Sequence, residues 1–437
     1  MADWSQRKLH FVGIGGAGMS GLALVARALG AGVSGSDRAE SSYTERLRAA
    51  GIEPLAGHDA ANVPEGAEVV VSTAIAPDNP ELAAASGPVL HRGELLAQAA
   101  ALKRSIAIAG AHGKTTTAAM AAHALIGCGA DPAYLIGGEL RSTGSNAGWG
   151  EGEWVVIEAD ESDRSFLALR PDVAVVTNIE LDHHATYASR RELDDAFAAF
   201  VEPAGATIAW EGAGLPAADV VYGLGAGDLR AELVELHGLG SRFTVDGVEV
   251  ELRVPGEHNV LNALAALAAC REAGVALDEA AAALASFAGA GRRFEDHGST
   301  ASGARVFDDY AHHPTEVRAT LEAARRLGAR RVVACFQPHL YSRTRALAGD
   351  FGRALALADA IVVCDVYPAR EAAEDFPGVS GYTVAAATAR ASGGRPVWWL
   401  PTLGEAERFL GGELAAGDVL LTLGAGDVHR VAEGLAG

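Results

Sequence analysis

Short apolar runs recur along the chain, and between them lie alanine-rich stretches whose apolar residues return at helical spacing. A short apolar run bounded by turn residues predicts a buried strand, and a 3.6-residue recurrence predicts a helix with one face inward. Strand and helix patterns alternate throughout, which predicts parallel sheets covered by helices, an α/β fold.

Three segments separate on this pattern. Residues 1–102 open with a strand at Leu9–Val12, a glycine-rich turn and a helix at Met19–Leu29. A strand at Ala31–Ser34 follows, leading toward Asp37, and Glu68–Ser72 reads as a buried strand before the proline-punctuated loop Ala76–Pro80. Residues 103–288 open with a strand at Ser105–Ala109, a second glycine turn and a helix at Thr115–Gly127. Strands are expected at Trp154–Glu158 and Val173–Asn178, with a small hairpin over Ser241–Val254 turning at Asp246-Gly247. The segment His258–Ala273 is apolar at helical spacing. Residues 289–437 begin with a glycine hinge at Gly289–Gly291 and carry strands at Ala304–Phe307, Arg331–Phe336, Ala360–Cys364 and Val419–Leu423.

Composition narrows the class. A chain of 437 residues suits two to four domains and needs no disulfide staples. Cys128, Cys270, Cys335 and Cys364 lie far apart with no CxxC pair, as expected of reduced core thiols in a cytoplasmic protein. The formal net charge of −21 argues against nucleic acid and anionic lipid as general partners, so an anionic substrate needs a local basic site. No apolar run approaches the ~20 residues of a membrane span. The N-terminus lacks an apolar core with a cleavage site, so neither membrane insertion nor a signal peptide is expected.

The candidate chemistry sits at the ends of the expected strands. Gly13-Ile14-Gly15-Gly16-Ala17-Gly18 fits GxGxxG between a strand and a helix, with Asp37 nineteen residues beyond Gly18. Such a turn lets a diphosphate approach Gly15, Gly16, Ala17 and Gly18 and rest on a helix N-terminus, with an acid for a ribose hydroxyl. A dinucleotide, a nucleotide-diphosphate sugar and a ligand-free tight turn all fit this segment taken alone.

The second turn runs Gly110-Ala111-His112-Gly113-Lys114-Thr115-Thr116, and Ile108 stands where the strict phosphate-loop pattern has glycine. The shorter GxxGKTT form keeps the mechanics. Backbone N–H groups wrap phosphates, Lys114 neutralises them, and the Thr115 hydroxyl can hold Mg2+. Downstream, Glu158-Ala159-Asp160-Glu161-Ser162-Asp163 and Asn178-Ile179-Glu180-Leu181-Asp182-His183-His184 each follow an apolar strand. Carboxylates and an imidazole from adjacent strand ends suit a divalent cation beside the loop. Asn259 and Asn262 lie one helical turn apart and suit either an adenine edge or a helix cap. Three polar clusters follow: Arg292-Arg293-Phe294-Glu295, Asp308-Asp309-Tyr310-Ala311-His312-His313-Pro314, and Gln337-Pro338-His339-Leu340-Tyr341-Ser342-Arg343-Thr344-Arg345. Arg343 and Arg345 with His339 form the cationic patch that an anionic substrate requires.

Taken in order, GIGGAGMSG, GAHGKTTT, EADESD, NIELDHH, GEHNVLN, GRRFE, DDYAHHPTE and QPHLYSRTR resemble the Mur ligases of peptidoglycan synthesis, over essentially the whole chain. DDYAHHP and QPHLYSRTR are the most specific of these, and GIGGAGMSG with DDYAHHP most resembles the alanine-adding branch. The resemblance implies three domains: an N-terminal Rossmann-like domain for the UDP part of the substrate, a central P-loop ATPase-type domain and a C-terminal Rossmann-like domain. It implies that ATP phosphorylates the carboxylate of UDP-N-acetylmuramate and that L-alanine attacks the acyl phosphate. By motif match, Lys114 and Thr115 meet phosphate and Mg2+, Glu158 and His183 serve a second Mg2+, and Asn259 and Asn262 face adenine. Arg293 and Asp309 reach the ATP ribose and phosphates, while His312, His339, Arg343 and Arg345 line the acyl-phosphate and alanine region. The enzyme is expected to act as a monomer or homodimer in the cytoplasm.

Two departures stand out. Ala185 occupies a position where many relatives carry aspartate, and Arg190–Glu202 contains none of the lysine that later-adding relatives modify. Three competing readings remain: a recycling ligase that adds a preformed peptide to the same sugar nucleotide, an NAD-dependent oxidoreductase resting on Gly13–Gly18 and Asp37, and an ATP-binding switch without ligation.

Overall fold

The protein is described from a computed structural model covering residues 3–182, 186–215 and 218–436. The chain divides into two compact units. The first comprises residues 1–232, 244–250 and 261–287, and the second comprises residues 233–243, 251–260 and 288–437.

The first unit contains two sheets. One has five parallel strands in the order Leu55–Ala56, Gly32–Asp37, Lys8–Val12, Glu68–Val71, Val89–His91. The first strand is central, so the chain must cross over it in both directions, as in a Rossmann-like fold. The helix after it starts at Ala17, two residues earlier than expected, and runs to Ala28 with Met19, Leu22, Ala23, Val25 and Ala26 buried. Gly35 allows the turn after the first strand to lie flat, because a Cβ there would meet the Phe11 carbonyl oxygen at 2.5 Å and Ile14 Cδ1 at 2.7 Å.

The other sheet has eight strands. They run Leu229–Arg230, Val220–Gly223, Ala206–Trp210, Val173–Val176, Arg104–Ala109, Trp154–Glu158, Ala133–Leu140, Ser145–Gly148, and only the last pair is antiparallel. Arg104–Ala109 lies inside this sheet, and Ser105 through Ala109 are all buried, as both-face coverage requires. Its two neighbours, Trp154–Glu158 and Val173–Val176, are the strands that precede the two acidic motifs. All three therefore deliver their C-terminal ends to the same edge, which is where ligands dock in such sheets. The strand expected at Val173–Asn178 stops at Val176, and Thr177 and Asn178 turn over the glycine loop instead.

The second unit holds a six-stranded sheet in the order Glu295–Ser299, Arg305–Asp309, Asp418–Leu423, Arg331–Phe336, Ala360–Val363, Val397–Trp399. Glu295–Ser299 is antiparallel to its neighbour and the other pairs are parallel. That edge strand escaped the sequence reading because it is polar and irregular, with a register shift between Asp296 and Gly298. Alternate residues feed two cores: Phe307, Phe336 and Leu421 pack with Val317, Leu321 and Phe351, while Val306, Cys335 and Leu420 pack with Leu410 and Val431. The expected hairpin is present as Gly240–Val245 and Val248–Leu252, turning at Asp246 and Gly247 with φ of 49° and 80°. Among the described residues no helix is long and apolar enough to cross a membrane.

The first unit's core includes Phe166, which is fully buried, stacked on Phe200 at 5.0 Å and edge-on to Phe197 at 5.4 Å. Phe166→Ala should cost about 3–5 kcal/mol and lower the calorimetric melting temperature of this unit; an unchanged melting temperature would contradict the packing.

Candidate active site

The second glycine turn is shaped by contacts that exclude side chains. Gly110 has φ of 139°, and a Cβ there would lie 2.1 Å from Thr177 Oγ1. Gly113 has φ of 82°, and a Cβ there would lie 2.4 Å from Asn262 Oδ1. Between them the main chain is clamped from the neighbouring strand end. His112 N–H donates to Asn178 Oδ1 at 2.9 Å, and the His112 carbonyl accepts from Asn178 Nδ2 at 2.8 Å and from Thr177 Oγ1 at 2.6 Å. The His112 ring meets Glu180 at 3.1 Å. Thr177 did not stand among the expected site residues, because the apolar run into it reads as continuing strand, and Asn178 stood only as the head of the motif Asn178–His184 with no role of its own.

The helix Lys114–Gly127 begins immediately after this loop, and its cap residue Gly113 supplies no side-chain hydrogen bond. A helix N-terminus without a side-chain cap is a place where an anion docks. Ala111 and His112 lie in the turn, and Thr116 is buried in the helix's first turn. Lys114 Nζ lies 2.9 Å from Glu161 Oε2. Burial alone would lower the lysine's pKa, but the carboxylates of Glu161, Asp160 and Glu158 hold it above its ordinary value. Asp160 shows the reverse balance: desolvation pushes its pKa up, and Arg92 and Lys114 bring it well below the carboxylate range. The acidic loop is itself pinned, since Tyr187 Oη donates to the Glu161 carbonyl at 2.8 Å and Thr186 Oγ1 to the Ser162 carbonyl at 2.6 Å.

Thr115 Oγ1 lies 3.1 and 3.0 Å from the two carboxylate oxygens of Glu158, and Gly137 N–H holds Glu158 Oε2 at 2.7 Å. Adjacent corners of an octahedron with 2.0–2.1 Å bonds are roughly 2.9 Å apart. A hydroxyl and a carboxylate at this spacing, both hard oxygen donors, therefore fit Mg2+ beside the loop. His183, expected with Glu158 at a second Mg2+, and Ala185 lie outside the described residues.

At the first glycine turn the structure brings Asp37 to Gly15, whose N–H donates to Asp37 Oδ2 at 2.8 Å. Gly16 caps the helix Ala17–Ala28 without a side-chain bond, so Ala17 and Gly18 begin a helix end open to an anion. Asn262 turns its amide oxygen to Gly113 and accepts from Thr117 Oγ1 at 3.3 Å. Asn259 Nδ2 donates to the Pro255 carbonyl at 2.7 Å.

In the second unit, Arg292 and Arg293 divide their work. Arg292, at φ of 57°, spends its guanidinium on Asp308 at 2.8 Å and on the carbonyls of Gly424 and Gly426, so it holds strand ends together. Arg293 lies over the Tyr310 ring at 5.1 Å and 3.7 Å from Glu316. Asp309 accepts from the N–H groups of Phe294 and Ala311, each at 2.8 Å. Burial raises its carboxyl pKa to about 6 against the opposing pull of Arg293. His258 is driven down to about 4 by burial and is neutral near pH 7. The rings of His312 and His339 stand 6.0 Å apart, and His339 Nδ1 is 3.2 Å from Arg343 Nη1. Arg345 does not join them. It is exposed and covers Phe376 at 5.0 Å, because two residues along a helix is more than half a turn away from Arg343.

Comparison with known proteins agrees with this arrangement. Residues 8–104 match the Mur ligase family catalytic domain, 108–270 the Mur ligase middle domain, and 292–426 the Mur ligase glutamate ligase domain. The chain belongs to the Mur ligase family. Over 98% of its length it is 46% identical to a UDP-N-acetylmuramate–L-alanine ligase of Rubrobacter xylanophilus, covering 99% of that protein. It is equally identical to the enzyme of that name from Acidithiobacillus ferrooxidans, covering 99% of this chain and 97% of that one. Among solved structures it resembles the UDP-N-acetylmuramate-alanine ligase of Thermotoga maritima, with a TM-score of 0.85 and 32% identity over 98% of this chain and 97% of that one. A murein peptide ligase of Psychrobacter arcticus gives 0.75 and 26%, covering 98% of each chain. As a Mur ligase, the chain has the expected Rossmann-like, ATPase-type and Rossmann-like three-domain α/β architecture.

Two outcomes follow from the geometry. Asn178→Ala removes both side-chain bonds to His112, worth about 1–3 kcal/mol, and should raise the KM for ATP roughly 10-fold in steady-state kinetics; an unchanged KM would exclude the clamp. Asp309 should titrate at about 6 in carboxyl-selective NMR, whereas a value near 4 would contradict its burial. Since its folded-state value lies above the unfolded one, the stability it contributes is complete below about pH 4 and is lost as pH rises through 6, on the order of 3 kcal/mol.

Proposed function

We propose that this Mur ligase joins L-alanine to the carboxylate of UDP-N-acetylmuramate in the cytoplasm, consuming ATP and releasing ADP and phosphate as a step of peptidoglycan precursor synthesis. The observation that carries the reading is the Lys114 loop, with its glycine cradle, its uncapped helix end and its Thr115–Glu158 oxygen pair. Similarity over the full chain to ligases of that name supports the choice of substrates.

A carboxylate is a poor electrophile at neutral pH, so it must first gain a leaving group. The substrate's carboxylate oxygen attacks the γ-phosphorus of ATP, ADP leaves, and an acyl phosphate forms. The alanine amine then attacks the acyl carbon. The tetrahedral intermediate expels phosphate, the nitrogen loses its proton, and an amide bond remains. The protein's contribution is positioning and charge stabilisation. Lys114 exchanges Glu161 for phosphoryl oxygens, and the helix N–H groups behind Gly113 hold the same oxygens. When bound, Mg2+ would supply the positive charge that neutralises the phosphate oxygens, with Thr115 as a ligand at the phosphates and Glu158 and His183 as ligands of a second ion.

We assign Gly15, Gly16, Ala17 and Gly18, with Asp37, to the UDP moiety, and Asn259 and Asn262 to adenine. Arg293 and Asp309 are assigned to the ATP ribose and phosphates, and His312, His339 and Arg343 to the acyl phosphate and alanine. Arg345, held over Phe376, is left out of that last set. The five-, eight- and six-stranded sheets fall within 1–102, 103–288 and 289–437 in turn, which supports those domain bounds.

Purified protein with Mg2+, ATP and UDP-N-acetylmuramate should release phosphate when L-alanine is added. Release with the L-alanyl-γ-D-glutamyl-meso-diaminopimelate tripeptide and none with L-alanine would instead identify a peptide-recycling ligase. Lys114→Ala should lower kcat at least about 100-fold while leaving UDP-N-acetylmuramate affinity within a few-fold by calorimetry; equal loss of both would contradict separate phosphate sites.

A further inference from the structure

Arg92 opens the helix Arg92–Ala100, outside every motif considered so far. Its Nη2 donates to Asp160 Oδ2 and, at 3.2 Å, to Asp163 Oδ2. Both acids belong to the loop that faces Lys114, and Asp160 lies in the electrostatic field of both cations. The opposite edge of the guanidinium faces elsewhere. A Cβ built on Gly18 would come within 3.3 Å of Arg92 Nη1, so this nitrogen stands against the first glycine turn. Among the described residues, Nε and Nη1 donate no hydrogen bond, although the side chain is only 19% exposed.

Guanidinium carries five N–H donors in a fixed planar fork. Two carboxylates on Nη2 fix the plane of the fork and leave Nη1 beside the turn. The anchoring loop is rigid on its own account. A Cβ at Gly93 would lie 2.5 Å from Ser165 Cβ, so the start of the Arg92 helix packs directly on the segment that follows the acidic loop. Ser165 N–H also donates to Asp163 Oδ1 at 3.0 Å. A purely structural strut would not need donors left over beside an open helix N-terminus.

We propose that Arg92 is a binding and positioning residue for the sugar nucleotide: its unspent donors take a diphosphate oxygen docked at Gly15–Gly18, while its anchored nitrogen ties that oxygen to the acidic loop beside Lys114. This rests on the function proposed above. It places one arginine within a single compact unit beside the first glycine turn and in contact with Asp160, whose charge Lys114 also feels.

The test compares wild type with Arg92→Lys, which keeps the charge but loses the fork, and with Arg92→Ala. Binding of UDP-N-acetylmuramate and of UDP alone is measured by calorimetry without ATP, and KM is measured separately for each substrate. Loss of a charge-assisted bond predicts that affinity for both UDP ligands falls on the order of 10–100-fold in Arg92→Lys, with the KM for ATP changed less than about three-fold. Unchanged UDP-ligand affinity overturns the proposal. So does a rise confined to the KM for ATP, which would mark Arg92 as a strut for the acidic loop. Loss for UDP-N-acetylmuramate with UDP unaffected overturns the assignment to the diphosphate. If Arg92→Ala melts early, the Lys variant, checked by its melting temperature, decides alone. Wild type failing to bind UDP-N-acetylmuramate would refute the proposed function instead, which keeps the two failures apart.

Discussion

Lys114 heads a helix, is largely shut off from water, and faces the carboxylates of Glu161, Asp160 and Glu158. A buried ammonium is tolerable only when it is paired, and a cluster of carboxylates only when a cation sits among them. Each side of this contact therefore stabilises the other. It also demands a tight loop into the helix, with no side chain where Thr177 and Asn262 press against it. The left-handed Gly113 and the tight Gly110 supply that, and the Thr177 and Asn178 side chains satisfy the main chain between them. The phosphate loop, the acidic loop and the end of the Val173–Val176 strand thus form one construction, and disturbance of any member reaches the others.

Arginines serve two distinct ends in this protein. Arg292 is consumed by Asp308 and two carbonyls and works as a fastener of the second unit's sheet. Arg92 is anchored on one nitrogen and keeps donors in reserve. Residue type does not separate these roles; the number of donors already satisfied does. The same logic applies to the acids. Asp160, beside two cations, stays ionised, whereas Asp309, held by two N–H groups in a buried pocket, gains a proton near pH 6. Burial alone would raise both, so the neighbouring charge decides.

Much was legible along the chain because it is local. The Trp154–Glu158 and Arg331–Phe336 strands fall where their apolar runs stand, and the Asp246-Gly247 hairpin where its turn residues demand it. Both glycine turns follow from the strand–glycine–helix order, and the ordered motifs indicated the Mur ligase family. These features depend on backbone preferences and side-chain period, which neighbours in sequence set by themselves.

Tertiary structure alone decided the rest. That Thr177 and Asn178 leave the strand to clamp His112, that Arg345 turns away to Phe376, and that Arg92 stands between Gly18 and Asp160 are contacts between segments distant in sequence. The Glu295–Ser299 edge strand, polar and irregular, likewise exists only because Arg305–Asp309 offers it a partner. Sequence pattern reports which face of an element is apolar. It carries no information on which donor meets which acceptor across two loops, since that depends on the positions both acquire only after the sheets have packed.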